Sequence, residues 1–299
     1  MTYETALSPT PFNNEGAIFM GAKRTPEECK VGIFGVPYDG TTSFRPGTRF
    51  GPSAIREVSN NLETFCPQLN LDLERIQFAD FGALEISYGA PEPVVKAVNQ
   101  ATKELLALGI KPLILGGEHS ISSGAVHAIS ENKPDLILVQ LDAHADLRNE
   151  WLGSKHSHAC AMRRCLEVLP SKQIFQLAVR SGTSEEFQEL RKQNWLVSHH
   201  RGRPATELAK ALAPHLGKPI YITVDVDWFD PSVMPGTGTP EPGGFLWDDF
   251  AAVIDVLKMH QLVAADIVEL SPLLDPSGIS SILAAKITRS LLMLLSESK

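Results

Sequence analysis

Three observations in the sequence predict an α/β fold, a mainly parallel sheet between two helical layers. First, short apolar runs of strand length alternate with helix-patterned stretches at roughly twenty-residue intervals, the rhythm of βαβ units. Second, several apolar runs end in Asp, His or Glu, and open parallel sheets carry their ligands at those strand ends. Third, no internal repeat, low-complexity tract or charged linker interrupts the pattern. The expected organisation is an irregular N-terminal arm over residues 1–30, rich in Pro and Asn, followed by a single domain over 31–299.

The first strand is expected at Val31–Val36, where an apolar run stops at Pro37. The loop from Tyr38 to Pro52 is dense in Gly, Thr, Arg and Pro, and irregular loops of this length are often functional. Pro52 suits the first turn of a helix that buries Ala54, Ile55 and Val58. Phe78–Phe81 is a weaker strand candidate. Val94, Val98 and Leu105 mark a helix over Pro91–Leu108, ended by Gly109. Pro112–Leu115 reads as a strand turning through Gly116–Ser120 into a helix over Ile121–Ile129, which Ser120 can cap. Leu136–Leu141 is the next strand. Further strands are expected at Ile174–Val179, Trp195–Val197, Ile220–Asp225 and Leu262–Leu270. Helices are expected at Ala159–Val168, Thr183–Gln193, Glu207–Leu216, Leu246–Met259 and Gly278–Leu295.

Composition narrows the function classes. A formal net charge of −8 argues against a nucleic-acid binder and mildly favours a cationic small substrate. No run of 18 or more apolar residues occurs, so no membrane span is expected. The N-terminus lacks the basic-then-apolar pattern of a secretory leader. The four cysteines, Cys29, Cys66, Cys160 and Cys165, form no CxxC pair. A reduced, cytoplasmic setting is expected.

The chemistry concentrates at three strand ends. His119 follows the first; Asp142, His144 and Asp146 follow the second; Asp225 and Asp227 follow the third. In an extended segment residues i, i+2 and i+4 share a face, so each set is expected to converge. A single DxH or DxD would ordinarily be surface polarity or a cap. Buried together, four carboxylates and two imidazoles require positive charge. Two divalent ions sharing bridging carboxylates satisfy that count, and an oxygen-rich set favours Mn or Mg-type ions over Zn. Two such ions together generate a hydroxide-strength nucleophile near neutral pH.

Gly116–Ser120 (GGEHS), Leu141–Asp146 (LDAHAD) and Thr223–Pro231 (TVDVDWFDP), with Pro235–Pro240 (PGTGTP) and Gly243-Gly244, resemble the motifs of the ureohydrolases, the arginase and agmatinase family. The likeness spans roughly residues 30 to 295. It implies an eight-stranded parallel sheet, a single catalytic domain, and two Mn²⁺ ions per subunit, with Ni²⁺ an alternative. It implies one ion held by His119, Asp142, Asp146 and Asp225, and a second by His144, Asp142, Asp225 and Asp227. Asp146 would orient the attacking water and pass a proton to the departing amine. His158 resembles a histidine that shuttles protons to bulk water, a task suited to a free imidazole near pH 7; a helix cap is its alternative, and His156 lies close by. Glu269 resembles the carboxylate that holds the guanidinium, and a strand-end ion pair is its alternative.

Arginases recognise their amino-acid substrate with an Asn two residues beyond the Asp146 position and with acids after a later strand. Here those positions read Arg148 and Arg180–Ser184 (RSGTS), a departure from arginine specificity. The sequence around His158 and the Tyr38–Pro52 loop are closer to agmatinases, so the expected reaction is agmatine to putrescine and urea, in polyamine biosynthesis. Guanidinobutyrate, guanidinopropionate, guanidine and arginine remain alternatives, and Arg148 could receive a carboxylate. A non-catalytic metal-binding relative would be expected to have lost ligands, and all six are present. The family resemblance implies a homotrimer or homohexamer. Glu118 is read as either an orienting partner of His119 or a helix-end charge and is left outside the site. Asp266 is expected on the opposite strand face in a structural role, and Cys160 and Cys165 as small buried groups. His127, His199, His200, His215 and His260 are expected to be surface or packing residues.

Overall fold

The computed structural model describes residues 12–13, 16–22, 29–198 and 202–298; most of the expected arm over 1–30, together with His199 and His200, lies outside them. Eight parallel strands form the sheet: β2 (Val31–Val36), β5 (Phe78–Leu84), β6 (Lys111–Gly116), β7 (Ile137–Leu141), β8 (Ile174–Leu177), β9 (Leu196–Ser198), β10 (Pro219–Asp225) and β11 (Gln261–Val268). A short β1 (Phe12–Asn13) joins β5 antiparallel, so the spatial order is β1-β5-β2-β6-β11-β10-β7-β8-β9. The expected eight-stranded parallel sheet is therefore present with one antiparallel edge strand added. A small hairpin, β3 (Phe65–Cys66) with β4 (Leu71–Asp72), had no periodic signal in the sequence.

Helices cover both faces. On one side lie α1 (Gly51–Ser59), α6 (Pro204–Leu212), α7 (Trp247–Leu257) and α8 (Ile279–Glu297). On the other lie α2 (Pro91–Ala107), α3 (Ser122–Ser130), α4 (Ala161–Cys165) and α5 (Ser184–Gln193). Strand alternation feeds both cores: Ile137, Val139 and Leu141 face the first layer, and Leu138 faces the second. By length and composition α8 passes for a membrane span, but 78% of its apolar window is buried, the pattern of a core helix in a layered fold.

Several element boundaries differ from the sequence expectation for local reasons. The segment after Ala159 opens as a 3-10 turn over His158–Cys160, leaving α4 only five residues long. Pro204 begins α6 three residues before the expected start, as its fixed φ suits a first helical turn. The β8 strand ends at Leu177 because Ala178 adopts φ +71°. Ser120 does not cap a helix; its hydroxyl donates instead to the Glu118 carboxylate at 2.6 Å.

The topology places the site. Chain order runs β6, α3, β7, yet β10 and β11 lie between those two strands. The C-terminal ends of β6, β11, β10 and β7 thus stand side by side at the point where the winding changes direction, the usual ligand crevice of such sheets.

Candidate metal centre

Each of these four strands delivers polar groups just beyond its last residue: His119 after β6, Glu269 after β11, Asp225 and Asp227 at β10, and Asp142, His144 and Asp146 after β7. The convergence expected from strand alternation is present, but turns produce it. The β7 strand stops at Leu141, and Asp146 sits at φ +51°. Asp142 Oδ1 accepts the His144 N–H at 2.5 Å, and Asp225 Oδ1 accepts the Asp227 N–H at 2.9 Å, so each first carboxylate bends the chain back on itself.

Two ligand groups result. His119, Asp142 and Asp225 each offer an atom within 4.8 Å of the others, and so do Asp142, His144 and Asp227, with Asp142 common to both. Asp146 Oδ2 joins the first group, 3.2 Å from His119 Nδ1. His144 Nδ1 lies 2.9 Å from Asp227 Oδ2. The fit to cations shows at His119 Nδ1, a buried atom outside any hydrogen-bond geometry. Oxygens of Asp142, Asp146 and Asp225 nonetheless surround it at 3.0, 3.2 and 3.3 Å. A cation among these atoms would give all four a partner, and the donors, carboxylate and imidazole without thiolate, suit hard to borderline divalent ions.

Electrostatics of the bare chain agree. Burial alone would strip His119 and His144 of their protons, but the adjacent Asp142, Asp146, Asp225 and Asp227 hold both imidazoles protonated well above their ordinary range. Burial also raises Asp225, with repulsion from Asp227 and Asp142 adding to it. Asp146 is pushed to about 6 by burial and then by the Asp142 charge. Asp142 also feels burial, but the two imidazoles beside it outweigh burial and hold its carboxyl below the usual range. Protons on the imidazoles stand in for the missing positive charge.

Further residues fix the ligands. With Nδ1 aimed at the carboxylates, His119 Nε2 donates to Thr223 Oγ1 at 2.9 Å. Thr223 pairs in register with Asp266, whose Oδ2 accepts from the Tyr221 hydroxyl at 2.5 Å. Asp266 is structural, as expected, yet it stands behind a metal-type ligand. Gln140 Nε2 donates to Asp142 Oδ2 at 2.6 Å, and Gln140 Oε1 accepts in turn from Gln176 Nε2. Arg180 Nη2 donates to the carbonyls of Asp227 and Glu241 at 2.7 and 2.8 Å, clamping the loop after β10. Trp228, fully buried, stacks on Phe245 with centroids 4.6 Å apart and anchors the same loop. Gln176, Thr223 and Arg180 escaped the sequence reading because their contacts join distant stretches of chain, and Gln140 because a lone Gln two residues before Asp142 forms no motif.

Glu269 and His158 close the site. Glu269 is buried at φ +67°, its N–H bonded to Gly117 O at 2.7 Å and its Oε1 accepting from His119 N at 2.7 Å. His158 Nδ1 stands 3.6 Å from Glu269 Oε1, an ion-pair distance too long for a hydrogen bond. Burial lowers the His158 pKa, but the Glu269 carboxylate, followed by Asp146 and Glu118, outweighs it and lifts the group to about 9. The free-imidazole value expected from sequence is thus not kept in the bare chain, because anions surround the ring. Glu118 touches Thr41 and Ser120, not the His119 ring, which corrects the orienting role considered for it.

A cavity of about 230 Å³ opens beside these groups, bounded by Ser43, His144, Asp146, Arg148, Trp151, His158 and Thr239. The Arg148 guanidinium lies over the Trp151 ring, 4.1 Å from its centroid. Among the described residues His127 is a packing group bonded to the Arg164 carbonyl at 2.9 Å. Cys160 and Cys165 are buried, as expected.

Comparison with known proteins agrees with this geometry. The pattern of the arginase family matches residues 29–294. The agmatinase of Halalkalibacterium halodurans is 34% identical over 280 residues, 93% of this chain and 96% of the relative. The N(1)-aminopropylagmatine ureohydrolase of Thermococcus kodakarensis is 36% identical over 261 residues, 86% of this chain and 88% of the relative. The crystal structure of the agmatine ureohydrolase of Thermoplasma volcanium superposes with a TM-score of 0.81 at 35% identity, covering 89% of this chain and 90% of that one. The chain is a ureohydrolase and belongs to the arginase family.

Proposed function

We propose that this protein hydrolyses agmatine to putrescine and urea at a two-Mn²⁺ centre, with Ni²⁺ as the alternative ion. The observation that carries the reading is the gathering of six metal-type ligands and Glu269 at four adjacent strand ends, beside a cavity that His144, Asp146 and Asp225 line. His119, Asp142, Asp146 and Asp225 would hold one ion, and His144, Asp142, Asp225 and Asp227 the other. Bound there, the ions supply a water made nucleophilic near neutral pH.

The remaining work falls to the chain. A guanidinium carbon is a poor electrophile, so the substrate must be held in line with the attacking oxygen. Glu269, fixed by two backbone contacts, receives the planar cation. As the bond between the guanidinium carbon and the alkyl-bearing nitrogen breaks, Asp146 returns a proton to that nitrogen, which departs as an amine and not as an amide anion. His158, between Glu269 and Ser43 at the cavity wall, exchanges protons with bulk water. A cation at Asp146 would cancel one of the negative charges, second to that of Glu269, that hold the His158 proton.

The same reading takes the protein as a single catalytic domain in cytoplasmic polyamine biosynthesis and, on family resemblance, as a homotrimer or homohexamer. A second reading has a specific observation behind it. Arg148, which lines the cavity, has no carboxylate within ion-pair distance among the described residues, and it would pair with the acid end of a guanidino acid such as guanidinobutyrate.

Urea release by the Mn²⁺-loaded protein, compared for agmatine, L-arginine, 4-guanidinobutyrate, 3-guanidinopropionate and guanidine, separates the readings. Preference for agmatine is expected. Preference for a carboxylated substrate, lost on Arg148→Ala, would establish the second reading in its place.

A further inference from the structure

We infer that Glu118 is a positioning residue for His158, acting through Thr41. The inference rests on the reading of His158 as proton carrier.

Glu118 is fully buried one residue before a metal-type ligand, yet its side chain turns away from the ligand cluster toward the loop after β2. Its Oε2 accepts the Thr41 N–H at 2.6 Å. Its Oε1 accepts the Thr41 hydroxyl at 2.5 Å and the Ser120 hydroxyl at 2.6 Å. A hydroxyl has one proton, and this one is committed to Glu118, so the Thr41 oxygen is left to accept. It accepts the His158 N–H at 2.9 Å. Two residues along the same loop, Ser43 Oγ meets His158 Nε2 at 3.1 Å. The carboxylate therefore orients Thr41, Thr41 holds the backbone of His158, and the loop bearing both contacts the far side of the ring.

A carboxylate is the group this arrangement requires. Three donors converge on two oxygens, and a carboxamide would turn N–H donors toward one of them. An acid buried here without such duty would be costly to retain. The link joins residues 77 and 117 positions apart in the chain, Thr41 with Glu118 and with His158.

The test compares Thr41→Val, Thr41→Ser, Glu118→Gln and His158→Ala in the metal-loaded protein, using whichever guanidino compound it turns over fastest. Bound metal, kcat, KM and the response to added imidazole are measured. Thr41→Val and Glu118→Gln are each expected to lower kcat by about 10- to 100-fold, the scale of an ångström-level misplacement, with KM nearly unchanged and metal content intact. Imidazole should restore part of the rate in Thr41→Val and in His158→Ala, and Thr41→Ser should retain most of it. The Thr41→Val/His158→Ala double variant should be no slower than His158→Ala alone, because both changes remove one function. Full kcat in Thr41→Val or Glu118→Gln beside a slow His158→Ala would overturn the positioning role and leave the proton carrier standing. Full kcat in His158→Ala would remove the proton-carrier reading and this inference with it. Additive losses, or lost metal in a folded Glu118→Gln, would assign the link a purely structural part.

Discussion

Gly117→Ala probes how tightly the His119 turn is built against the loop after β2. A methyl added to Gly117 would lie 1.9 Å from the Tyr38 carbonyl oxygen and 2.8 Å from the Tyr38 carbonyl carbon and nitrogen. All three are backbone atoms, so no rotamer can yield, and relief to ordinary contact needs roughly 1.5 Å of main-chain movement. That movement pulls on two short hydrogen bonds, Gly117 N to Val36 O and Glu118 N to Tyr38 O, each 2.8 Å. It also shifts the Gly117 carbonyl that holds the Glu269 N–H. Overpacking of about 1–3 kcal/mol, together with roughly 1 kcal/mol of weakened hydrogen bonding, gives an expected loss of about 2–4 kcal/mol. In a chain of this size that is a fall in Tm of roughly 3–6 °C. Because Glu269, His119 and Thr41 all hang on this junction, kcat/KM should fall by about 100-fold or more. Thermal unfolding and urea release on one preparation check both numbers. An alanine variant with native Tm and native kcat/KM would refute the packing argument.

Thr223→Val removes the acceptor of the His119 Nε2 proton, and metal affinity should drop by about 10- to 100-fold, read by competition with a chelator. Unchanged affinity would show that Thr223 does not orient the ligand. Metal binding should weaken as pH falls: the bare chain holds His119 and His144 protonated above the ordinary imidazole range, and an arriving ion must displace those protons. Calorimetry near pH 7 in two buffers of different ionisation enthalpy should report release of about two protons; none released would contradict the assignment of both imidazoles as ligands. Away from the site, Asp80→Ala strands the buried Arg56 guanidinium, whose Nε and Nη2 each lie 2.8 Å from that carboxylate. The expected cost is about 3–5 kcal/mol by urea unfolding, and a loss under about 1 kcal/mol would mean that Arg56 finds other partners.

The ligand set was legible in the sequence because it is local: Asp142, His144 and Asp146 stand within five residues, and Asp225 and Asp227 within three. Their convergence was foreseen by a mechanism the structure replaces. Period-two alternation needs a continuing strand, whereas β7 ends at Leu141 and Asp142 itself bends the chain back onto His144. The parallel sheet was legible in the spacing of apolar runs, but β1 was not, since two residues carry no periodicity. Thr223 and Arg180 were hidden because each acts over a long stretch of chain. Thr223 reaches His119 across 104 positions, and Arg180 reaches the Asp227 carbonyl across 47. Glu118 is the instructive case. Its place beside His119 suggested a bond to that ring, and the fold instead spends its carboxylate on Thr41.

Titration of Mn²⁺ into the metal-free chain while urea release from agmatine is followed tests the central claim most directly. Activity should rise to a plateau at two equivalents per chain, with putrescine and urea formed one to one. A plateau at a single equivalent, or two bound equivalents with no urea from agmatine, would contradict the two-ion agmatine hydrolase described above.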